Sequence, residues 1–153
     1  MRKMMKRANG IGLSANQIGL PYRMFVGQIP VARGGENKSY VVLNPELEKD
    51  TKEKASQEEG CLSVIGIYGE VERPARVTLR GLDRYGKPLK IKAWGLLARM
   101  FQHEVDHLDG GLFIDKAKDV YEASARGEEK VDDSKNGKSG GTKGADQAKR
   151  KRA

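Results

Sequence analysis

Leu96, Met100, His103 and His107 fall at i, i+4, i+7 and i+11, one continuous stripe of helical period. The spacing predicts a helix over residues 96–109 whose two histidines extend its buried apolar face, with Glu104 at the margin of that face. Gly110-Gly111 ends it, because glycine tolerates the left-handed backbone of a helix stop. Residues 22–26 and 40–43 are β-branched and aromatic and read as strands, separated by the turn-rich stretch 32–37. Asn44-Pro45 is expected to close the second strand. Residues 71–80 read as a further strand, in which Val77 and Leu79 alternate with Arg76, Thr78 and Arg80. Beyond a turn at 83–87, Leu89, Ile91 and Ala93 alternate in the same way, so the two form an antiparallel hairpin. Residues 1–8 read as a short helix around Met4 and Met5, stopped by Asn9-Gly10. Residues 46–57 are charged and half exposed, and Leu112-Phe113-Ile114 is a last apolar patch. One helix among short antiparallel strands is an α+β fold.

After Asp115 the composition turns to Lys, Glu, Asp, Gly and Ser, and from 131 onward Val131 is the one aliphatic residue larger than alanine. Such a stretch cannot bury enough surface to offset its ordering entropy. The expectation is one folded domain at 1–115 and a basic polar tail, largely disordered, at 116–153. The chain of 153 residues carries a net charge of +8 with 33% charged residues. The first 115 residues have 18 Lys+Arg against 14 Asp+Glu, so the basic excess belongs disproportionately to the tail. A tail of that kind could make a weak contact with ribosomal RNA by counterion release, although a solvated tail explains it as well. Cys61 is the single cysteine, which excludes an internal disulfide framework and fits a reducing compartment. No apolar run approaches the roughly 20 residues that span a membrane. Nor does a hydrophobic stretch follow the basic N-terminus. A cytoplasmic monomer is expected, without a membrane partner.

His103-Glu104-Val105-Asp106-His107 is an H-E-x-x-H pattern. Two histidines four residues apart on a helix differ by about 40° in direction, so both imidazoles can meet one metal ion. The glutamate between them is placed to take a proton from water at that metal. Two ligands leave the ion short of a third. In the extended H-E-x-x-H-x-x-G-x-x-H form the chain fits as far as Gly110, but Phe113 holds the third histidine's place. Glu122, Glu128 and Glu129 are downstream carboxylates in polar surroundings. Cys61, flanked by Gly60, is the better candidate, and a Cys-His-His set with an open position is of the catalytic type. Gly10-Ile11-Gly12 lacks the third glycine of a phosphate-cradling loop and follows no strand, so its glycines serve a close backbone approach instead.

Three segments resemble the signature motifs of the peptide deformylases, in that family's order. They are Gly10-Ile11-Gly12-Leu13-Ser14-Ala15-Asn16-Gln17, Glu59-Gly60-Cys61-Leu62-Ser63 and Gln102-His103-Glu104-Val105-Asp106-His107-Leu108-Asp109-Gly110. Residues 69–77 are similar to the family as well. The resemblance implies removal of the formyl group from the N-terminal formylmethionine of nascent polypeptides, releasing formate. It implies a central metal-binding helix surrounded by small antiparallel β-sheets. Cys61, His103 and His107 would hold one divalent ion, Fe2+ first, with Zn2+, Ni2+ or Co2+ as other choices. Glu104 would be general base and then general acid, and the Gln17 amide and the Leu62 backbone N–H would stabilise the oxyanion. Gly12 would bring its backbone to the substrate, and Ile11 and Met100 would line the pocket for the methionine side chain. Glu59 and Arg73 would pair behind the ligands. At Ser14 members often have alanine, and this small-for-small exchange is expected to be neutral. Members usually carry a full helix before the first motif and often a long C-terminal helix. The polar tail in place of that C-terminal helix resembles phage-encoded and organellar versions. Two other readings of the same residues are an H-E-x-x-H metallopeptidase and a non-catalytic, metal-bound protein docked on the ribosome.

Overall fold

The computed structural model describes residues 1–30 and 36–123. A short helix α1 (Arg2–Arg7) leads into β1 (Gly12–Ser14), a 3-10 turn (Ala15–Ile18), β2 (Met24–Ile29) and β3 (Lys38–Lys49). The strands β4 (Lys54–Cys61), β5 (Val64–Pro74), β6 (Arg76–Leu82) and β7 (Pro88–Trp94) follow. Helix α2 (Gly95–Leu108), a second 3-10 turn (Phe113–Asp115) and β8 (Lys118–Glu122) complete it. The strands make two antiparallel sheets, β1-β2-β3-β6-β7 and β4-β5-β8. Asn9 has φ +54, in agreement with the helix stop expected there. No helix among the described residues is long and apolar enough to cross a membrane.

Helix α2 packs on the five-stranded sheet. Phe25, Tyr40, Val42, Val77 and Leu79 from the strands meet Ala98, Met100, Phe101 and Val105 from the helix in one apolar core. The Phe101 ring lies 5.4 Å from that of Tyr40, edge to face, and 5.8 Å from that of Phe25. The stripe expected through Leu96 is displaced: Leu96 is 45% exposed, and Phe101, fully buried, occupies the centre of the contact. Glu104 is buried, not marginal, and is more enclosed than His103. From Ala98 to Leu108 no residue of the helix is exposed, because the small sheet and the first motif cover the sides that the large sheet leaves open.

Other expectations change in detail. Asn44-Pro45 does not close β3. Asn44 adopts φ +48, the register with β6 shifts between Leu43 and Glu46, and the strand resumes to Lys49. Opposite this bulge stands Gly81, where a Cβ would lie 2.7 Å from the Leu43 carbonyl oxygen, so only glycine fits. Residues 71–80 are two strands instead of one. Pro74, which has no N–H for a ladder, ends β5, and after Ala75 the chain enters the other sheet as β6. The hairpin β6–β7 stands as expected, with Leu82 opposite Pro88. Strand β8 lies beyond Asp115, in the segment expected to begin the polar tail, and pairs with β5. Most of the turn-rich stretch 32–37, and the tail from 124 onward, lie outside the described residues.

Candidate metal centre

Helix α2 supplies two of the three candidate ligands and the β4–β5 hairpin the third. The helix ends in two bonds, Gly110 N–H to the His107 carbonyl and Gly111 N–H to the Asp106 carbonyl, with Gly110 at φ +84. His107 Nε2 stands 3.1 Å from His103 Nε2 and 3.1 Å from Cys61 Sγ. The ligand atoms of Cys61, His103 and His107 all lie within 4.8 Å of one another, an arrangement that could hold a metal ion. Cys61 is reached because β4 and β5 turn over in two residues, Leu62 and Ser63, which place the thiol beside the helix. Phe113, at the position of a third histidine in the extended motif, is buried, and its ring lies nearly parallel to that of His103, centroids 6.2 Å apart.

The donor set fits a divalent cation. Burial raises the Cys61 thiol, but hydrogen bonding from His103 and His107 outweighs it and brings the thiol down to about 5, so the sulfur is a thiolate at neutral pH. Glu59 fixes His103 from behind: Nδ1–H donates to Glu59 Oε2 at 2.9 Å, which leaves Nε2 and its lone pair toward Cys61 and His107. Without an ion, burial lowers the affinity of His103 for a proton, yet Cys61 and Glu59 override it and raise the ring to about 9. Two anions thus gather a positive charge at the point where the ligand atoms converge.

Behind the ligands stands an ion-pair network that sequence reading found only in part. Arg73 Nε and Nη2 donate to Glu59 at 2.5 and 2.9 Å, as expected, and Arg73 Nη1 donates to Asp106 at 2.7 Å. Arg99, not anticipated, reaches from α2 to Glu59 Oε1 at 2.5 Å and to the carbonyls of Val71 and Ala55. An arginine on a helix ordinarily reads as solvent-facing, so no local signal pointed to it. Burial opposes ionisation of Glu59, but hydrogen bonds from Arg73 and His103 hold its carboxyl down at about 2.

The first motif forms the opposite wall. Ser14 N–H donates to Gln17 Oε1 at 2.8 Å, which directs the Gln17 amide toward Ser63 Oγ at 2.9 Å and Cys61 Sγ at 3.6 Å. Asn16, missed as a functional residue, donates through Nδ2 to the His107 carbonyl and ties the motif to the end of α2. A cavity of about 440 Å³ opens between these elements, lined by Ile11, Gly12, Gln17, Cys61, Leu62 and Glu104 among others. Met100 is buried, its side chain against Gly27, where a Cβ would stand 2.5 Å from the Met100 methyl and 3.5 Å from the Ile11 carbonyl oxygen. Gly12 lines the cavity, and a Cβ there would run into the Glu104 carboxylate. Burial raises the Glu104 carboxyl above the usual carboxylate range, although the Ser14 hydroxyl pulls the other way. A carboxyl so raised binds a proton more readily than an ordinary one, which suits a group that takes and returns a proton.

Comparison with known proteins agrees with this geometry. The family model described as polypeptide deformylase matches residues 1–123. The chain belongs to that family. It is 53% identical over 116 residues to a peptide deformylase of Agrobacterium fabrum, covering 75% of this chain and 67% of the relative. To that of Rhodopirellula baltica it is 47% identical over 116 residues, covering 76% of this chain and 57% of the relative. The chain thus spans between about half and three quarters of the length of such curated relatives. A solved structure of a probable peptide deformylase from Synechococcus phage S-SSM7 superposes with a TM-score of 0.71 at 39% identity. That superposition covers 76% of this chain and 78% of the phage protein. The family resemblance and the α+β architecture with its central helix therefore hold, and three separated motifs meet at one cavity.

Proposed function

We propose that this chain removes the formyl group from the N-terminal formylmethionine of nascent polypeptides, releasing formate. The observation that carries the reading is the convergence of Cys61, His103 and His107 within 4.8 Å on a cavity that Glu104 and Gln17 also line. A divalent ion held by these three side chains would polarise the formyl carbonyl and acidify an attacking water. Of the metals that suit such a set, Fe2+ is our first choice, ahead of Zn2+, Ni2+ and Co2+. Glu104 takes the proton of the water whose oxygen bonds to the formyl carbon. It returns that proton to the methionine nitrogen as the C–N bond breaks. The Gln17 Nε2–H and the backbone N–H of Leu62, at the hairpin tip beside Cys61, donate to the oxygen on which charge develops. Ile11 and Leu62 give the cavity an apolar side suited to the methionine side chain. Met100, packed against Gly27, is a further candidate for that side, and Gly12 brings its backbone to the substrate while leaving room for the Glu104 carboxylate. The compartment this substrate implies is the one where nascent chains are made.

Formate release from formyl-Met-Ala-Ser tests the reading. With Fe2+ or Ni2+ the protein is expected to turn over this peptide and to leave unformylated Met-Ala-Ser intact. A Glu104→Ala protein that kept its metal and full turnover would overturn the role of Glu104. Unchanged metal content in Cys61→Ala would overturn the ligand set. Cleavage of Met-Ala-Ser would favour a peptidase.

A further inference from the structure

Ser14 ends β1 and is fully buried. Its hydroxyl nevertheless makes a specific contact: Oγ lies 2.7 Å from Glu104 Oε2 and 2.9 Å from the Glu104 backbone carbonyl oxygen. A serine hydroxyl has one proton to donate, and a carboxylate oxygen is the stronger acceptor of the two. Glu104 Oε1 meanwhile lies against Gly12, in the space where a Cβ would stand. Both flanking residues are fixed by strand pairing, Gly12 opposite Gly27 and Ser14 opposite Phe25. The carboxylate is therefore gripped at one oxygen and given clearance at the other, on a single rigid strand.

We propose that Ser14 is a positioning residue for Glu104, its hydroxyl holding Oε2 so that Oε1 faces the cavity. This rests on the deformylase reading for its consequence in turnover, not for its geometry. An alanine would leave Oε2 of a buried carboxylate without this donor, and the side chain would be free to rotate away from the reacting water. On this proposal serine and alanine are not interchangeable here. Ser14 also holds Gln17, but through its backbone N–H, so replacing the side chain leaves that bond in place.

Ser14→Ala is expected to lower kcat on formyl-Met-Ala-Ser about tenfold, with KM, metal content and melting temperature little changed. Ser14→Thr keeps the hydroxyl and should recover most of kcat. In a Glu104→Ala background the serine change should add nothing to the residual rate. A crystal structure of metal-free Ser14→Ala should show the Glu104 carboxylate in new or multiple rotamers, where the parent shows one. The proposal falls if Ser14→Ala turns over like the parent, if its loss persists without Glu104, or if Glu104 keeps its rotamer. A parent protein that releases no formate would defeat the functional reading instead, and the crystallographic comparison would still decide the positioning.

Discussion

Four donors crowd the two oxygens of Glu59: Arg73 twice, Arg99 and His103. Removing this charge leaves the buried Arg99 guanidinium without this anion and Arg73 with Asp106 alone, a loss on the order of 3–5 kcal/mol for a buried pair broken on one side. Its pH dependence follows from the same contacts. The folded carboxyl is held near 2 against an ordinary value of 4.5. A depressed carboxyl stabilises the fold above the unfolded value, and the contribution is lost as pH falls from about 4.5 toward 2. Urea unfolding of metal-free protein should therefore show an acid-range loss on the order of 2–4 kcal/mol. Glu59→Gln should lack that loss while being less stable at pH 7. Gly12 makes a second prediction at this scale. A Cβ there would strike Oε1, Cδ and Cγ of the buried Glu104 side chain, which Ser14 holds, so Gly12→Ala must displace the whole carboxyl end. Because the displaced group is the proposed base, its kcat should fall by about tenfold or more, and the melting temperature should fall with it as the buried contact is forced apart.

At the level of elements, α2 shows what hydrophobic periodicity can and cannot locate. Its limits were legible to within a residue, since Gly110 and the end of the apolar repeat are local signals. Its buried face was not, because Leu96 lies at the helix start, beyond the cover of the strands, while Arg99, Gln102 and Glu104 are buried by elements far away in sequence. Phe101→Ala is accordingly expected to cost about 3–5 kcal/mol. Leu96→Ala should stay within about 0.5 kcal/mol, and chemical denaturation of the two variants separates these outcomes. The strands tell the same story. Alternation at 77–80 and 89–93 marked the β6–β7 hairpin, whereas the crossing from one sheet to the other at Ala75 and the bulge at Asn44 depend on partners across the sheets.

Across the whole molecule, the candidate ligands come from helix and hairpin, so an ion held by them would link α2 to the small sheet. Binding to the folded state alone stabilises by mass action, about 2.7 kcal/mol at a hundredfold excess over Kd. Chelation should therefore lower the melting temperature of the parent and leave that of Cys61→Ala nearly unmoved, as calorimetry with and without chelator can check. By itself the sequence determined the central helix, the spacing of its two histidines, the β6–β7 hairpin and the set of residues able to meet a metal. These follow from local periodicity and from the chemistry of particular side chains. Only the tertiary structure decided that Arg99 joins Arg73 on Glu59, that Met100 packs against Gly27, that Asn16 clasps the end of α2, and that Ser14 and Gly12 flank Glu104. Those contacts join residues dozens of positions apart, and their energy depends on burial and distance, which exist only once the sheets close around the helix.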